Sequence, residues 1–306
     1  MYKVFIDGGA GTTGLKIHDR LRARKDISII TLDESVRKDV EARREAINSS
    51  DLTFLCLPDD AAKESVSLLT NKSTKIIDTS TAHRTDPLWA YGFPELTGYR
   101  EKIKNSSRIA NPGCHASGFI ALIAPLVSAG VLDKGAALSC FSLTGYTGGG
   151  KKMIAEYEDT ERDVLLGAPR QYALTQSHKH LPEMKAVTGI ENLPVFVPVV
   201  ADFPCGMEVS VPIFKKDISV GIPEIKEIYK CLYTTGVVRY SDENEGGFLS
   251  ASAMAGKDSM TVSVYGNEDR ILLVSRFDNL GKGASGAAIQ NMNILLGIDE
   301  TEGLVL

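Results

Sequence analysis

Apolar residues in the first third of the chain come in short unbroken runs, separated by stretches with helical spacing. Tyr2–Ile6, Ile27–Leu32, Leu52–Leu57, Lys75–Asp78 and Arg108–Ala110 predict strands. Thr13–Arg24, Val36–Asn48 and a segment reaching Leu69, capped by Asp59 or Asp60, predict helices between them. Continuous apolar strands alternating with helices predict a parallel sheet covered on both faces. The pattern changes after Cys114. A long apolar helix runs to Ala129, and Ala137–Leu143, Val195–Val200 and Val209–Phe214 follow as strands. Met260–Tyr265 and Arg270–Arg276 alternate with period two about Gly266-Asn267, which predicts a hairpin. Pro223–Tyr233 and Ser285–Leu296 predict two further helices. The expected fold class is α/β: a parallel-sheet domain, then an α+β domain with a mostly antiparallel sheet.

Length and charge narrow the function. The 306 residues predict two domains. Lys plus Arg number 34 and Asp plus Glu 39, a net charge of −5. That balance argues against nucleic-acid or membrane-surface binding, which needs a basic face. The longest apolar stretch, Phe119–Leu132, is interrupted by Pro125, Ser128 and Gly130 and falls short of the ~20 residues a membrane span needs. The first residues carry no charged-then-apolar leader, so no secretory signal is expected. The 5 cysteines are odd in number, widely spaced and lack a CxxC, which predicts reduced thiols in the cytoplasm.

The first strand ends in Gly8-Gly9-Ala10-Gly11-Thr12-Thr13-Gly14. A strand-to-helix turn lets a pyrophosphate reach the main chain only where Cβ atoms do not block it. The helix start then offers N–H groups and a positive dipole end. Beyond the second strand, Asp33 or Glu34 stands where a ribose 2′-hydroxyl is bound, and Arg37 and Lys38 just after could instead take a 2′-phosphate. These residues alone leave NAD and NADP open.

Asn111-Pro112-Gly113-Cys114-His115 puts a cysteine behind a Pro-Gly turn at a helix start. The dipole and the first-turn N–H groups favour a thiolate there and could hold an oxyanion beside it. Cys56, Cys140 and Cys231 have blander places in strands or a helix, and Cys205, in a turn, is the one rival nucleophile. A thiol nucleophile wants a proton carrier nearby, and His178-Lys179-His180-Leu181-Pro182-Glu183 supplies one. Pro182 restrains the backbone beside His180, which favours His180 over His178. Zinc on His178, His180 and Cys114 lacks a fourth ligand, so no metal is expected. His115 is expected to point away from Cys114, since neighbouring helix positions do not face each other. Arg84 in Ser80-Thr81-Ala82-His83-Arg84, and Lys151 or Lys152 after the glycine-rich stretch 145–150, could hold an anion.

Together these stretches resemble the N-acetyl-γ-glutamyl-phosphate reductases, more closely the shorter type. The resemblance rests on GGAGTTG at residue 8, CLPDDAA at 56–62, STAHR at 80–84, WAYGFPEL at 89–96, NPGCHAS at 111–117, GYTGGGKK at 145–152, HKHLPE at 178–183 and NLGKGASGAAIQNMN at 279–293. It implies a Rossmann-type dinucleotide domain, 1–113 with 281–306, and a substrate and dimerisation domain, 114–280. It implies NADPH as reductant, N-acetyl-γ-glutamyl phosphate as substrate and a homo-oligomer, dimer or tetramer. The family nucleophile falls on Cys114 and its acid/base on the His178/His180 pair. Expected cofactor contacts are Gly8, Gly9, Ala10, Gly11, Thr12, Thr13, Gly14, Ser80 and Asn279; expected substrate contacts are Arg84, Asn111 and Lys151. The competing readings are an acyl-phosphate reductase of the aspartate-semialdehyde dehydrogenase kind, and a non-catalytic dinucleotide-binding redox sensor.

Overall fold

The structure is a computed structural model that describes residues 1–306. The chain divides into two compact units: Met1–Pro94, Gly98–Pro112 and Ala284–Leu304, and Glu95–Thr97, Gly113–Gly283 and Val305–Leu306.

The first unit holds strands β1 (Tyr2–Asp7), β2 (Ile27–Ile30), β3 (Leu52–Leu55), β4 (Lys75–Asp78), β5 (Ala90–Tyr91) and β6 (Arg108–Ala110). They form one sheet in the order β2-β1-β3-β4-β6-β5, parallel throughout. Helices α1 (Thr12–Arg22), α2 (Val40–Ser49), α3 (Asp59–Ser67) and α4 (Tyr99–Lys104) connect the strands. The last helix of the chain, Gly286–Leu296, returns to this unit and buries Ile289, Met292 and Leu295 against Val4, Leu52, Phe54 and Ile77. β3 is buried along its whole length, and in β4 Ile76 and Ile77 are buried on opposite faces, which is why the apolar residues there are adjacent rather than alternating.

Two local expectations need correction. The second helix begins at Val40, not Val36, because Asp39 accepts the Ala42 N–H at 2.8 Å and caps it. Residues 34–38 are turn, closed by Val36 N–H to Asp33 O and Asp39 N–H to Val36 O. Neither Asp59 nor Asp60 caps α3. Pro58 is the N-cap residue, and the Asp59 carboxylate instead receives the backbone N–H and the hydroxyl of Thr81.

The second unit holds α5 (Cys114–Ser128), β7 (Ser139–Gly145), α6 (Gly150–Glu158), β8 (Arg170–Gln171), α7 (Leu181–Thr188), β9 (Val195–Ala201), β10 (Met207–Phe214), α8 (Ile222–Leu232), β11 (Val238–Tyr240), β12 (Met260–Gly266) and β13 (Arg270–Phe277). Its seven-stranded sheet runs β11-β12-β13-β10-β7-β9-β8 and is mostly antiparallel, with parallel pairs at β11/β12 and β7/β9. The expected hairpin is present as β12–β13.

Helix α5 lies on this sheet. A Cβ at Gly118 would meet Val209 Cγ2 at 2.5 Å and Ser275 Oγ at 2.8 Å, so glycine sets how closely the helix approaches β10 and β13. Pro125 sits inside α5 and cannot donate to the carbonyl four residues earlier. Tyr233 answers that loss, donating its hydroxyl to Ala121 O at 2.6 Å, and Tyr229 donates to Leu122 O at 2.6 Å. Burial pushes both phenols well above their ordinary range, so they remain donors at every working pH. No helix in the structure is long and apolar enough to cross a membrane.

Candidate active site

Cys114 is the first residue of α5, with Gly113 as N-cap in extended conformation (φ −78°, ψ 146°). Ser117 donates its hydroxyl and its N–H back to Gly113 O, at 3.1 and 2.8 Å, which tightens the first turn. A first turn leaves its N–H groups outside the intrahelical ladder, directed at whatever lies beside the sulfur. Cys114 itself is half-buried. Its backbone is crowded: a Cβ at Gly283 would stand 3.0 Å from Cys114 Cβ. The other thiols are placed differently. Burial pushes the Cys56 thiol up to about 12 and that of Cys140 above the usual thiol range. Cys205 sits in its turn with Sγ 3.5 Å from Thr147 Oγ1.

Both histidines of the HKH segment pack against His115, the second residue of α5. His180 is 5% exposed and is the N-cap residue of α7; His178 is half-buried. Their ring centroids are 4.7 Å apart and nearly perpendicular. The His180 N–H donates to His178 Nδ1 at 3.2 Å, which ties the two residues into one turn. Glu183, 1% exposed in the first turn of α7, accepts the Gly113 N–H at 3.1 Å. This bond fastens the element that carries His180 to the residue just before Cys114.

His115 does not point away, as the sequence predicts. Its ring lies 5.6 Å from His178 and 5.5 Å from His180, with Nδ1 2.7 Å from Ser142 Oγ and Nε2 2.6 Å from Tyr172 OH. One helical step does turn it about 100° from the cysteine. The segment from β8 to α7 folds around that side of α5, so both directions face polar groups. Burial, and then the charge of His178, drive His115 down to about 3, so it is a neutral hydrogen-bonding link. Tyr172 is raised above the ordinary phenol range, mainly by burial and also by the Cys114 charge, and stays protonated. Neither Tyr172 nor Glu183 is distinguishable from a surface residue in the sequence. Only the fold brings them to the cysteine.

The depressed His115 value has a consequence for stability. The folded ring is neutral and the unfolded ring titrates near 6.5. Between those values the unfolded chain binds the extra proton, so stability rises with pH there. The contribution is fully present above about 6.5 and is lost as pH falls toward 3. We expect the urea midpoint gap between the wild type and His115→Gln to be larger at pH 7.5 than at pH 5. Parallel pH dependences in the two proteins would show that the ring is not buried neutral.

The glycine turn lies in the first unit. A Cβ at Gly8 (φ +86°) would meet Cys56 O at 2.4 Å, and one at Gly14 would meet Gly8 O at 2.8 Å. At Gly9 and Gly11 the nearest atoms are 3.6 Å away, so packing does not demand glycine there. What bare backbone at 9 and 11 provides is open approach for a ligand to the start of α1, and the residues therefore fit a dinucleotide pyrophosphate.

Several other expected contacts are engaged within the protein. Ser80 donates its hydroxyl to Asp78 Oδ2 at 2.8 Å. Arg84 donates from Nε to Asn111 O at 3.0 Å and from Nη2 to Thr79 O at 3.1 Å, which fixes the backbone after β4 and β6. The Asn111 side chain donates to Ala284 O at 3.0 Å and accepts from Asn291 Nδ2 at 3.2 Å. Asn279 accepts the Gly206 N–H at 3.0 Å and donates to Thr147 Oγ1 at 3.0 Å. Lys151 is exposed on α6. The structure thus sets His178 and His180 against His115, the residue after Cys114, and places Ser80, Arg84 and Asn111 in the first unit.

Comparison with known proteins agrees with this layout. Residues 3–106 match the model of the semialdehyde dehydrogenase NAD binding domain, and residues 114–279 that of the semialdehyde dehydrogenase dimerisation domain. The chain is 45% identical over 307 residues to N-acetyl-gamma-glutamyl-phosphate reductase of Brucella suis, covering 96% of this chain and 99% of that one. It is 43% identical over 320 residues to N-acetyl-gamma-glutamyl-phosphate reductase 2 of a Nostoc species, covering 99% of each. Among solved structures, aspartate semialdehyde dehydrogenase II of Vibrio cholerae superposes with a TM-score of 0.72 at 14% identity, over 97% of this chain and 98% of that one. The Francisella tularensis aspartate semialdehyde dehydrogenase gives 0.73 at 14% identity, over 97% and 100%. Identities that low speak for the shared fold alone. The chain belongs to the N-acetyl-gamma-glutamyl-phosphate reductase family of the semialdehyde dehydrogenases.

Proposed function

We propose that Cys114 is the nucleophile, and His180 the acid/base, of an NADPH-dependent reduction of N-acetyl-γ-glutamyl phosphate to N-acetylglutamate 5-semialdehyde and phosphate, a step of arginine biosynthesis. The observation that carries this reading is a half-buried cysteine heading α5 with the HKH segment fastened against it through Glu183 and Gly113. The Cys114 thiolate attacks the acyl-phosphate carbonyl, and the first-turn N–H groups of α5 hold the oxyanion. The tetrahedral adduct expels phosphate and leaves a thioester on the sulfur. The glycine turn 8–14, with Thr12 and Thr13, would hold NADP(H), which when bound would supply the hydride needed to reduce the thioester carbonyl. His180 donates a proton to the oxygen of the reduced adduct and takes it back as the thiohemiacetal breaks, returning the thiolate and releasing the aldehyde. Tyr172 and His115, neutral and hydrogen-bonded, orient the polar wall without exchanging charge.

The first unit serves as the dinucleotide domain and the second as the substrate and dimerisation domain. The working protein is a homo-oligomer, dimer or tetramer, acting in the cytoplasm on a small anionic substrate, with Arg84, Asn111 and Lys151 as residues toward that substrate and Ser80 and Asn279 toward the cofactor.

The test runs the reaction oxidatively with phosphate, offering N-acetylglutamate semialdehyde or aspartate semialdehyde with NADP⁺ or NAD⁺. We expect phosphate-dependent turnover with the acetylated aldehyde and NADP⁺. Faster turnover of aspartate semialdehyde would move the substrate to the sister reaction, and binding without turnover of either would favour a redox sensor.

A further inference from the structure

A cavity of about 640 Å³ in the first unit runs from Gly8–Ala10, at the phosphate end of the glycine turn, past the end of β2 to Glu34, Arg37 and Lys38. We propose that Arg37 and Lys38 bind the 2′-phosphate of NADP(H), and that Glu34 is the anion this phosphate displaces from Arg37. The proposal rests on the reading that the chain uses NADP(H), and assigns the residues that distinguish it from NAD(H).

Two acids near the end of β2, Asp33 and Glu34, are of the type that suits a ribose 2′-hydroxyl. Asp33 is not in the cavity wall. Its Oδ1 accepts both the N–H and the hydroxyl of Ser35, at 2.9 and 2.7 Å, and closes a local turn. Glu34 does line the cavity, and its carboxylate is paired with Arg37 at 2.8 Å. Neither acid therefore presents an uncommitted carboxylate to a ribose.

The cations divide the other way. Arg43 also lines the cavity, but it is buried and bonded to Asp7 at 3.0 Å and to Ser65 Oγ at 2.5 Å, so its guanidinium is held. Lys38 makes no ion pair. The wall thus contains two closed pairs, Asp7 with Arg43 and Glu34 with Arg37, and one additional positive charge. Arg37 and Glu34 are exposed, so their pair is weak and exchangeable. A phosphate brings more charge than a carboxylate and accepts from the planar guanidinium through two oxygens, which favours the exchange. The late start of α2 matters here. Because Asp39 caps the helix at Val40, Arg37 and Lys38 lie in the turn that rims the cavity rather than on a helix face.

The experiment is calorimetric titration of the full-length protein with NADPH and, separately, NADH, for the wild type, the Arg37→Gln/Lys38→Gln double variant and Glu34→Gln. These positions are exposed, and circular dichroism confirms that each variant is folded. Removing both cationic partners of the phosphate predicts a rise of about 10–100-fold in the NADPH Kd of the double variant. The NADH Kd should change by less than about threefold, since surface charges there add little to a ligand without the phosphate. Glu34→Gln should tighten NADPH and leave NADH unmoved. A double variant that keeps the wild-type preference for NADPH, or that weakens both nucleotides equally, overturns the assignment while leaving the cofactor reading intact. A wild-type protein that binds the two nucleotides alike overturns the cofactor reading and the assignment together.

Discussion

Replacing Cys114 by serine should reduce turnover by on the order of 10⁴–10⁶, the scale seen when a covalent nucleophile is removed. The hydroxyl is nearly isosteric but remains protonated at working pH, so it cannot use the N-terminal field of α5 as a thiolate does. Serine keeps the Cβ that lies against Gly283 and changes only the γ atom. NADPH binding should be unchanged, because the substitution leaves the glycine turn 8–14 as it is and alters one atom of the Cys114 side chain. Steady-state kinetics beside a nucleotide titration separates the two effects. A serine variant with near-normal rate would end the covalent mechanism. Lost rate together with lost nucleotide affinity would point instead to disruption of the fold.

The second large effect is expected at His180. His180→Asn should lower kcat by about 10²–10⁴, the range for a positioned acid/base. His178→Asn should cost less. His178 Nδ1 accepts the His180 backbone N–H, so its role is to hold the turn from which His180 acts. His180 is also the more buried of the two and stands at the N-cap of α7, two residues after His178 and three before the Glu183 that accepts Gly113 N–H. The contrast is read from kcat for the two variants under saturating substrate. A greater loss in His178→Asn reverses the assignment. Equal losses would mean that the pair carries the proton jointly.

Much of the fold is legible because the relevant signals are local. The parallel sheet follows from stretches such as Leu52–Leu55 and Ile76-Ile77, buried on both faces with helical spacing between them. The glycine turn is legible because its glycines recur directly behind the first strand, and part of its steric demand is local, Gly14 against Gly8; the demand at Gly8 comes from Cys56, at the end of another strand. The short elements β5, β8, β11 and α4 are not legible; at two to six residues they hold too few positions to show a period. Periodicity places the start of α2 too early because Val36 continues the helical spacing, while the decisive interaction is one hydrogen bond from Ala42 to Asp39. The site divides in the same way. Cys114 and the HKH segment announce themselves through Pro-Gly and paired imidazoles. Arg84 announces itself as a charge but is engaged with two backbone carbonyls that only the folded chain places beside it.

The alternating architecture, the nucleotide turn and a cysteine at a helix start can all be read from the amino-acid order, since each depends on residues within one or two turns of one another. The company that cysteine keeps is set by folding in three dimensions. His115 between Ser142 and Tyr172, Glu183 on Gly113, and Tyr233 on the carbonyl freed by Pro125 all join segments 27 to 112 residues apart. Pairings of that separation leave no periodic trace in a chain. They exist only because burial of the apolar faces brings those segments together, and the polar groups carried along must then find partners or remain unsatisfied.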